Sequence, residues 1–541
     1  MRSPGRDALF LVPLLAFVVL FALLPVSVLF ATTVSASGGL AGLRTTWESP
    51  LDQRAIQNSL LQGGLSAALA MAVGYPVGLM IGRYAWPGRS LVRSLLLIPF
   101  LLPSLIVVLG VQDLFGARGL VSSSVPPLGL FGSGVPGIVG ANLLFNVPLV
   151  ALFVATGCDA ASPELEDTVA TLGGSPFRAF RDAWGPPTWV GALAGGLLTF
   201  LFSALSFAPP LLLCGPRCYT VEARIYYLAQ YVGPNGAGVL SLWMVALFLA
   251  PTIGYLLLLG RLRPRPGRRV RTRPPLPWRT PTGGILAAVT ALVLLAEAAL
   301  LAAVAYRSLR PVSGGGWGGA WGSLLSPAAT LRLGLPAVNA VSNTLLFAIG
   351  ASAITLLLGI GAGYSVAHRR RRAGAVGIVL FVPLLLSPIV LSLALTQFWP
   401  PLLGGGQYVW ALVIFSQTVL ALPFALQSIE IPLTGIPTDA SDAARTLGAT
   451  GWGAYLDVDL PRVRDGVVTA GLFALALGMG EFTATNYLVT LSRQYTTLPV
   501  ALYNLYSTRY VGLQDAVAGL LLLISLATFV ALSVGGRRVE L

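Results

Sequence analysis

The chain has 541 residues, of which 55% are hydrophobic and 10% charged, and its mean hydropathy is +0.80. A soluble globular chain carries about 25% charged residues, so this composition excludes an ordinary soluble domain and points to an all-α polytopic membrane protein. The net charge of +14 comes from arginine alone, because lysine is absent; the arginines cluster in short connections between apolar runs, the pattern of a membrane protein and not of a nucleic-acid-binding one.

A hydrocarbon core of about 30 Å requires about 20 apolar helical residues. Runs of that kind are expected near Ala8–Thr33, Gln57–Arg83, Leu91–Phe115, Pro136–Gly157, Thr188–Leu213 and Ala237–Gly260. A second set follows near Gly283–Tyr306, Val338–Ala367, Gly374–Trp399, Tyr408–Ser428, Arg464–Leu491 and Asp515–Val534. A transmembrane β-barrel would instead alternate over segments of about ten residues. The first run follows Arg2 and Arg6 but is longer than the apolar stretch of a signal peptide, roughly 7–15 residues, so a retained helix is expected. With the N-terminus inside, 24 arginines fall inside and 10 outside, which predicts cytoplasmic termini in a multi-pass cell-membrane protein.

The order of motifs divides the chain into two six-helix halves, residues 1–260 (membrane core about 54–260) and 283–541 (core about 338–534), joined by an Arg/Pro-rich linker at 261–282. Asn58-Ser-Leu-Leu and Asn343-Thr-Leu-Leu open equivalent spans 285 positions apart, and Pro103 and Pro388 share that offset. Pro148 and Pro423 lie 275 apart. Six spans return the chain to the same side, so the halves read as parallel repeats with a pathway between them. The linker's proline and arginine predict an extended tether without a specific partner.

The informative polar segment is DAARTLGATGWGAYLDVDLPRV, Asp442 to Val463, with a degenerate copy, DTVATLGGSPFRAFRDAWGPP, at Asp167 to Pro187. Both lie between the fourth and fifth spans of their halves, on the predicted inner side. An acid near a helix N-terminus is favourable, alanine propagates the helix, and Gly448 permits a tight break. The expected product is a short helix pair along the membrane, either covering the bundle end or offering a small-residue surface to a partner.

Asp442-Ala443-Ala444, Gly448 and Val458-x-Leu460-Pro461 resemble the EAA loop of ABC importer permeases, binding-protein-dependent proteins of the MetI-like superfamily. Asp stands for the usual Glu and Val for the usual Ile. The first copy keeps Asp167, Gly173 and Pro186 but has Thr168-Val169 for the alanines. The duplicated plan, with FNVP at Phe145–Pro148, TVEARIYYLA at Thr220–Ala229, GEF at Gly480–Phe482 and TTLPVALYNLY at Thr496–Tyr506, resembles the fused permeases of the thiamine and ferric-iron import group. The resemblance implies a transport subunit, a dimer of ATPase subunits gripping the two loops, and an extracytoplasmic binding protein delivering cargo. It implies no cofactor on this chain and ATP consumed by the partners. The residues agree independently: a Walker A loop needs a lysine for the phosphates, and there is none. Sulfate, molybdate and polyamine remain alternative cargoes.

Intramembrane acids are costly and usually face a partner or a water-filled path. Glu481 is therefore a candidate for the translocation pathway of a cation, with Ser206 at the equivalent place in the first half; a structural acid bonded to Thr or backbone is the competing reading. Glu297, in the seventh span, reads as structural. His368, the single histidine, has no companions for a metal site, and Tyr226, Tyr227, Tyr503 and Tyr506 read as interface anchors. Cys214 and Cys218 are spaced so that pairing stays open. A proton-coupled secondary carrier shares the twelve-span plan, but leaves the doubled loop unexplained. A membrane enzyme would need paired acids, a metal cluster or a nucleophile with its base, and none is evident.

Overall fold

A computed structural model describes residues 10–36, 44, 47–96, 98–262, 273–311, 316–368, 386–435, 439–508 and 510–537. The arginine run Arg369–Arg372, most of the linker's arginines, the first part of the ninth expected span and the side chain of His368 lie outside the described residues. The architecture is all-α. Twelve principal helices correspond to the expected spans: α1 Val12–Ala36, α2 Pro50–Arg83, α3 Ser104–Phe115, α4 Gly134–Asp159, α5 Gly185–Ala204, α6 Pro234–Arg261, α7 Pro281–Leu309, α8 Ala337–His368, α9 Pro388–Leu403, α10 Val409–Gly435, α11 Arg464–Gly480 and α12 Val511–Arg537.

Twelve uninterrupted spans are not what forms. Among the described residues nine helices are long and apolar enough to cross a membrane, and a tenth arises if Gly451–Arg462 and α11, bent by 77°, count as one. The third expected span is cut into Arg89–Leu95, Ile98–Leu101 and α3, because Pro99 and Pro103 lack the N–H an α-helix needs and restart the helix instead. Pro388 starts α9 in the same manner. The eleventh expected span ends early, α11 stopping at Gly480 and a short helix, Thr483–Leu488, following.

The duplication is visible in side-chain contacts. Asn58 donates to the Arg217 and Tyr219 carbonyls, and Asn343 to those of Gln494 and Thr496. One residue on, Ser59 accepts the Val221 N–H and Thr344 the Leu498 N–H. Glycines repeat as well. Along α2, Gly74, Gly78 and Gly82 sit one turn apart, and a Cβ at Gly78 would lie 2.5 Å from the Val154 Cβ of α4. Gly359 and Gly363 of α8 face Ile429 of α10 in the same register. Small residues at this spacing let two membrane helices approach to backbone contact.

The halves are not separate bundles. The first helix of each reaches across: α1 packs on α9 as well as on α6, and α7 packs on α2 and α3 as well as on α12. One continuous core therefore joins Leu14, Ile106 and Phe207 of the first half to Leu300, Leu393 and Phe482 of the second. The end of the linker is also docked, correcting the expectation of a free strap. Ala85 donates to the Pro274 carbonyl at 2.9 Å and accepts from the Leu276 N–H at 3.1 Å, Arg273 pairs with Asp159 at 2.7 Å, and Trp278 meets Trp86 edge-on. Prolines at 274, 275 and 277 hold this stretch extended, so it can lie along α2's end, joined to it by a single bridge at Ala85 and Pro275.

The glycine contacts give a paired prediction. Gly78→Ala forces an overpacked α2–α4 contact costing about 1–3 kcal/mol, whereas Gly64→Ala, with open space where the Cβ would go, is neutral or gains up to about 1 kcal/mol of helix propensity. Thermal unfolding of the purified protein in one detergent should show a lower midpoint for the first substitution and no decrease for the second.

Candidate functional site

Two regions carry the candidate residues: a matched pair of loops at one end of the helices, and a pair of helix breaks toward the other.

The second loop begins with the helix Asp439–Thr446, where Asp442 lies in the first turn, accepting from Arg445 at 3.1 Å. Ala443 is exposed and Ala444 half-buried. Leu447 is 90% exposed at the tip. Gly448 follows at φ +98°, in open space, a conformation L side chains avoid. Thr450 caps the next turn by accepting the Gly453 N–H at 3.0 Å. Tyr455–Asp459 is a single π-helical turn containing Val458, and Leu460-Pro461 opens the turn that leads into α11. The first loop repeats each step. Asp167 lies in the helix Pro163–Thr171, Leu172 is 79% exposed, Gly173 has φ +69°, Ser175 caps Arg178, and Phe180–Trp184 is the π turn ahead of Pro186. The sequence copy is degenerate, but the backbone copy is close.

The loops differ in how they are tied down. In the first, Arg83, at the buried end of α2, grips Glu166 with both nitrogens and lies 4.8 Å over the Trp184 ring. In the second, Ser441 donates to the buried Asp459, and Tyr455 donates to the Ile360 carbonyl at 3.0 Å. Phe10, ahead of α1, stacks on Trp452 of the second loop at 4.6 Å, so the first half touches the second loop as well. The matching residue of the first loop, Phe177, is 68% exposed. On its surface Asp182 is held below the ordinary carboxylate range, chiefly by the hydrogen bond from Arg181.

The second region starts where α5 and α11 stop. A rise of 1.5 Å per residue places these breaks about 30 Å and 25 Å along the helices from the loops, toward the opposite face. At the first break Ser206 has a buried hydroxyl without a hydrogen-bond partner, and its carbonyl accepts from Thr220 at 2.9 Å. At the second, Glu481 is half-buried and turned onto the following helix: Oε1 accepts from the Ala484 N–H at 2.7 Å, and Oε2 from the Thr485 N–H at 2.8 Å and from the Thr485 hydroxyl. The two breaks meet. Phe207 contacts Phe482 at 5.6 Å between ring centres, Tyr226 lies on Phe207 at 5.1 Å, and Tyr503 on Phe482 at 5.2 Å. Asn486 donates to the Tyr226 hydroxyl across the halves at 3.2 Å.

The tyrosines expected as interface anchors divide accordingly. Tyr226 and Tyr503 pack in this aromatic cluster, Tyr506 bonds the Leu212 carbonyl of the other half, and only Tyr227 is exposed, under Arg224. Just beyond the first break, Cys214 and Cys218 form a disulfide. Sequence reading missed Glu222, the fully buried acid of the helix Val221–Tyr231: its position between apolar runs gave no sign of burial. Glu297 of α7 is buried, with one carboxylate oxygen lacking a hydrogen-bond partner.

No family model matches the chain. It is 26% identical over 531 residues to the thiamine transport system permease protein ThiP of Escherichia coli, spanning 91% of this chain and 93% of that one. The molybdenum transport system permease protein ModB of Mycobacterium bovis is 30% identical over 232 residues, 41% of this chain and 84% of its own. The molybdate/tungstate transport system permease protein WtpB of Thermococcus kodakarensis is 27% identical over 245 residues, 45% and 93% of the two chains. The shorter relatives thus match a length equal to one half.

The unequal anchoring of the loops yields a prediction. Arg83→Gln removes the ion pair of a partly exposed Glu166, a loss of about 1–2 kcal/mol once solvent screening is allowed for. Amide hydrogen exchange across 163–171 should accelerate about tenfold, with exchange across 439–446 unchanged.

Proposed function

The chain belongs to the membrane permeases of ABC importers of the MetI type, and on that premise we propose that it supplies both membrane halves of an importer for an organic cation, thiamine or a close relative. Each loop docks one subunit of an ATPase dimer. Asp442, Ala443, Ala444, Gly448, Val458, Leu460 and Pro461 form one docking element, and Asp167, Gly173 and Pro186 the equivalent in the other. The matched backbones support this reading: each offers an exposed leucine and then a glycine at positive φ, on a short helix tied to its own half. The lack of any lysine supports the reading that ATP chemistry belongs to those partners. An extracytoplasmic binding protein works at the opposite face. The arginine asymmetry supports cytoplasmic termini, and the Cys214–Cys218 disulfide supports an oxidising compartment beyond the breaks.

The observation that carries the cargo reading is the chemistry of the breaks. The relatives' names divide between a thiamine permease and permeases for molybdenum, molybdate or tungstate. A carboxylate, Glu481, stands beside the aromatic rings of Phe207, Tyr226, Phe482 and Tyr503. Carboxylate and aromatic faces attract an organic cation and repel an oxyanion. An oxyanion site would leave helix N-terminal N–H groups free to bind it, whereas here Glu481 already occupies those of Thr483–Leu488. Ferric iron would need several hard oxygen ligands brought together, and this carboxylate is engaged by its own helix. Glu481 and Ser206 then line the pathway unequally, an acid on one side and a hydroxyl on the other.

Proteoliposomes holding the permease, its ATPase subunits and its binding protein test the account. Thiamine uptake should require ATP, survive collapse of the proton gradient, resist competition by molybdate and fall about tenfold in Glu481→Gln. Uptake driven by the proton gradient without ATP would establish a secondary carrier instead. For the docking loops, Ala443→Glu or Gly448→Arg should release the ATPase subunits on affinity purification more than Thr168→Glu or Gly173→Arg does; retention of the ATPase in all four variants contradicts the docking assignment.

A further inference from the structure

Glu222 is fully buried and serves the opposite half of the protein. Its Oε1 accepts the Ile389 N–H, at 3.2 Å, in the first turn of α9, and the Ser387 hydroxyl lies close enough to favour the charged form of the same carboxylate. Its Oε2 has no hydrogen-bond partner. Glu481 is close enough for the two charges to act on one another. One turn along from Glu222 is Tyr226, which packs on Phe207 and accepts the cross-half hydrogen bond from Asn486. The short helix carrying Glu222 is itself pinned to α2 by the buried Arg224–Asp52 pair at 2.7 Å. The repeat has Pro499 at the matching position, 277 residues on, so this acid exists on one side only.

The closed arrangement is accounted for by electrostatics: the carboxylate complements the positive N-terminal end of α9. The opening of the pathway is different. When the halves part at Phe207 and Phe482, Glu222 stays with the first half and α9 with the second. Burial pushes this carboxyl up to about 8; once it loses the partners that compensate its charged form, it either takes up a proton or meets a cation. A cation arriving among the aromatic rings supplies the missing charge.

We propose that Glu222 is a second anionic contact for the cation in transit, taking the cargo in exchange for the N-terminus of α9 as the halves separate. Passage of cargo and opening of the pathway are thereby linked, because a neutral or anionic molecule does not compensate the released carboxylate. This rests on the cation reading of the preceding subsection, and deepens it by assigning the residue that makes opening depend on positive charge.

The test uses the same proteoliposomes, with the binding protein saturated in turn by thiamine and by its neutral isostere, in which thiophene replaces the thiazolium ring. Wild-type importer should carry thiamine about a hundredfold faster than the isostere, the factor set by two charge-assisted contacts, Glu481 and Glu222. Glu222→Gln keeps an acceptor for the Ile389 N–H but loses the charge; its preference should fall to about tenfold, the share Glu481 supplies. It should also hydrolyse ATP faster with unloaded binding protein, since opening no longer strands a charge. Glu222→Asp should retain the preference for thiamine. Wild-type importer that carries thiamine with a preference of about tenfold or less over the isostere overturns the inference, as does an unchanged preference in Glu222→Gln. If Glu222→Gln does not assemble, the size of the wild-type preference decides alone. Wild-type importer that carries no thiamine overturns the cargo reading and this inference with it.

Discussion

The structure depends on the contact between two broken helices. A bilayer tolerates irregular backbone only where its polar groups are satisfied within the protein, and the stretches after Ala204 and Gly480 meet that condition in different ways. Thr220 bonds the Ser206 carbonyl in the first half, and Glu481 covers the N–H groups of the next helix in the second. With the backbone satisfied, Phe207 and Phe482 can be held against each other, and Tyr226 and Tyr503 flank them in matching positions. The seam between the repeats is closed there by apolar and aromatic contacts together with a hydrogen bond from Asn486 to Tyr226, and beside it Glu222 accepts from the Ile389 N–H and Tyr506 donates to the Leu212 carbonyl across the halves.

The rest of the fold connects that seam to the loops. Helices α5 and α11 are the direct links, each running from a π turn at the loop to a break at the seam. Exchange of α1 and α7 between the halves ties them into one assembly, because each half carries a helix packed on the other. A buried polar network braces the first of these links: Asn142 bonds Gln62 and Ser66, and Asn146 bonds Ser203 one residue before α5 ends. The second half has Gly478 where the first has Ser203, and the corresponding space is taken by close packing against Gln417 and Ala348. The two links are thus similar in backbone and unlike in what surrounds them.

Much of this was legible in the sequence. Apolar length alone marks most of the spans, because helix is the one local structure that satisfies a backbone in lipid. The offsets of Asn58, Pro103 and Asp167 marked the duplication, and the loops carry the expected helix, glycine turn and proline. The breaks were not legible, because hydropathy runs through them: the segment around Glu481 is as apolar as a continuous span, and only tertiary contact determines where the helix stops. Glu222 was hidden for the opposite reason, lying between spans in a polar segment with an arginine and exposed tyrosines as neighbours. The linker misled by composition. Proline and arginine exclude a packed core, but they do not exclude an extended segment, and Arg273 to Trp278 uses that conformation to dock beside α2.

The most direct measurement of the account is a reversible cross-link between the two breaks. With Phe207→Cys and Phe482→Cys in the assembled importer, a short bis-methanethiosulfonate reagent, which forms a disulfide with each thiol as sulfinate leaves and is cleaved by a reductant, joins the halves at their aromatic contact. The account predicts that cargo uptake stops when the bridge forms and returns when it is cleaved, while the ATPase subunits remain bound. Undiminished uptake with the bridge intact would contradict it, because the halves would then not need to part at Phe207 and Phe482 for cargo to pass.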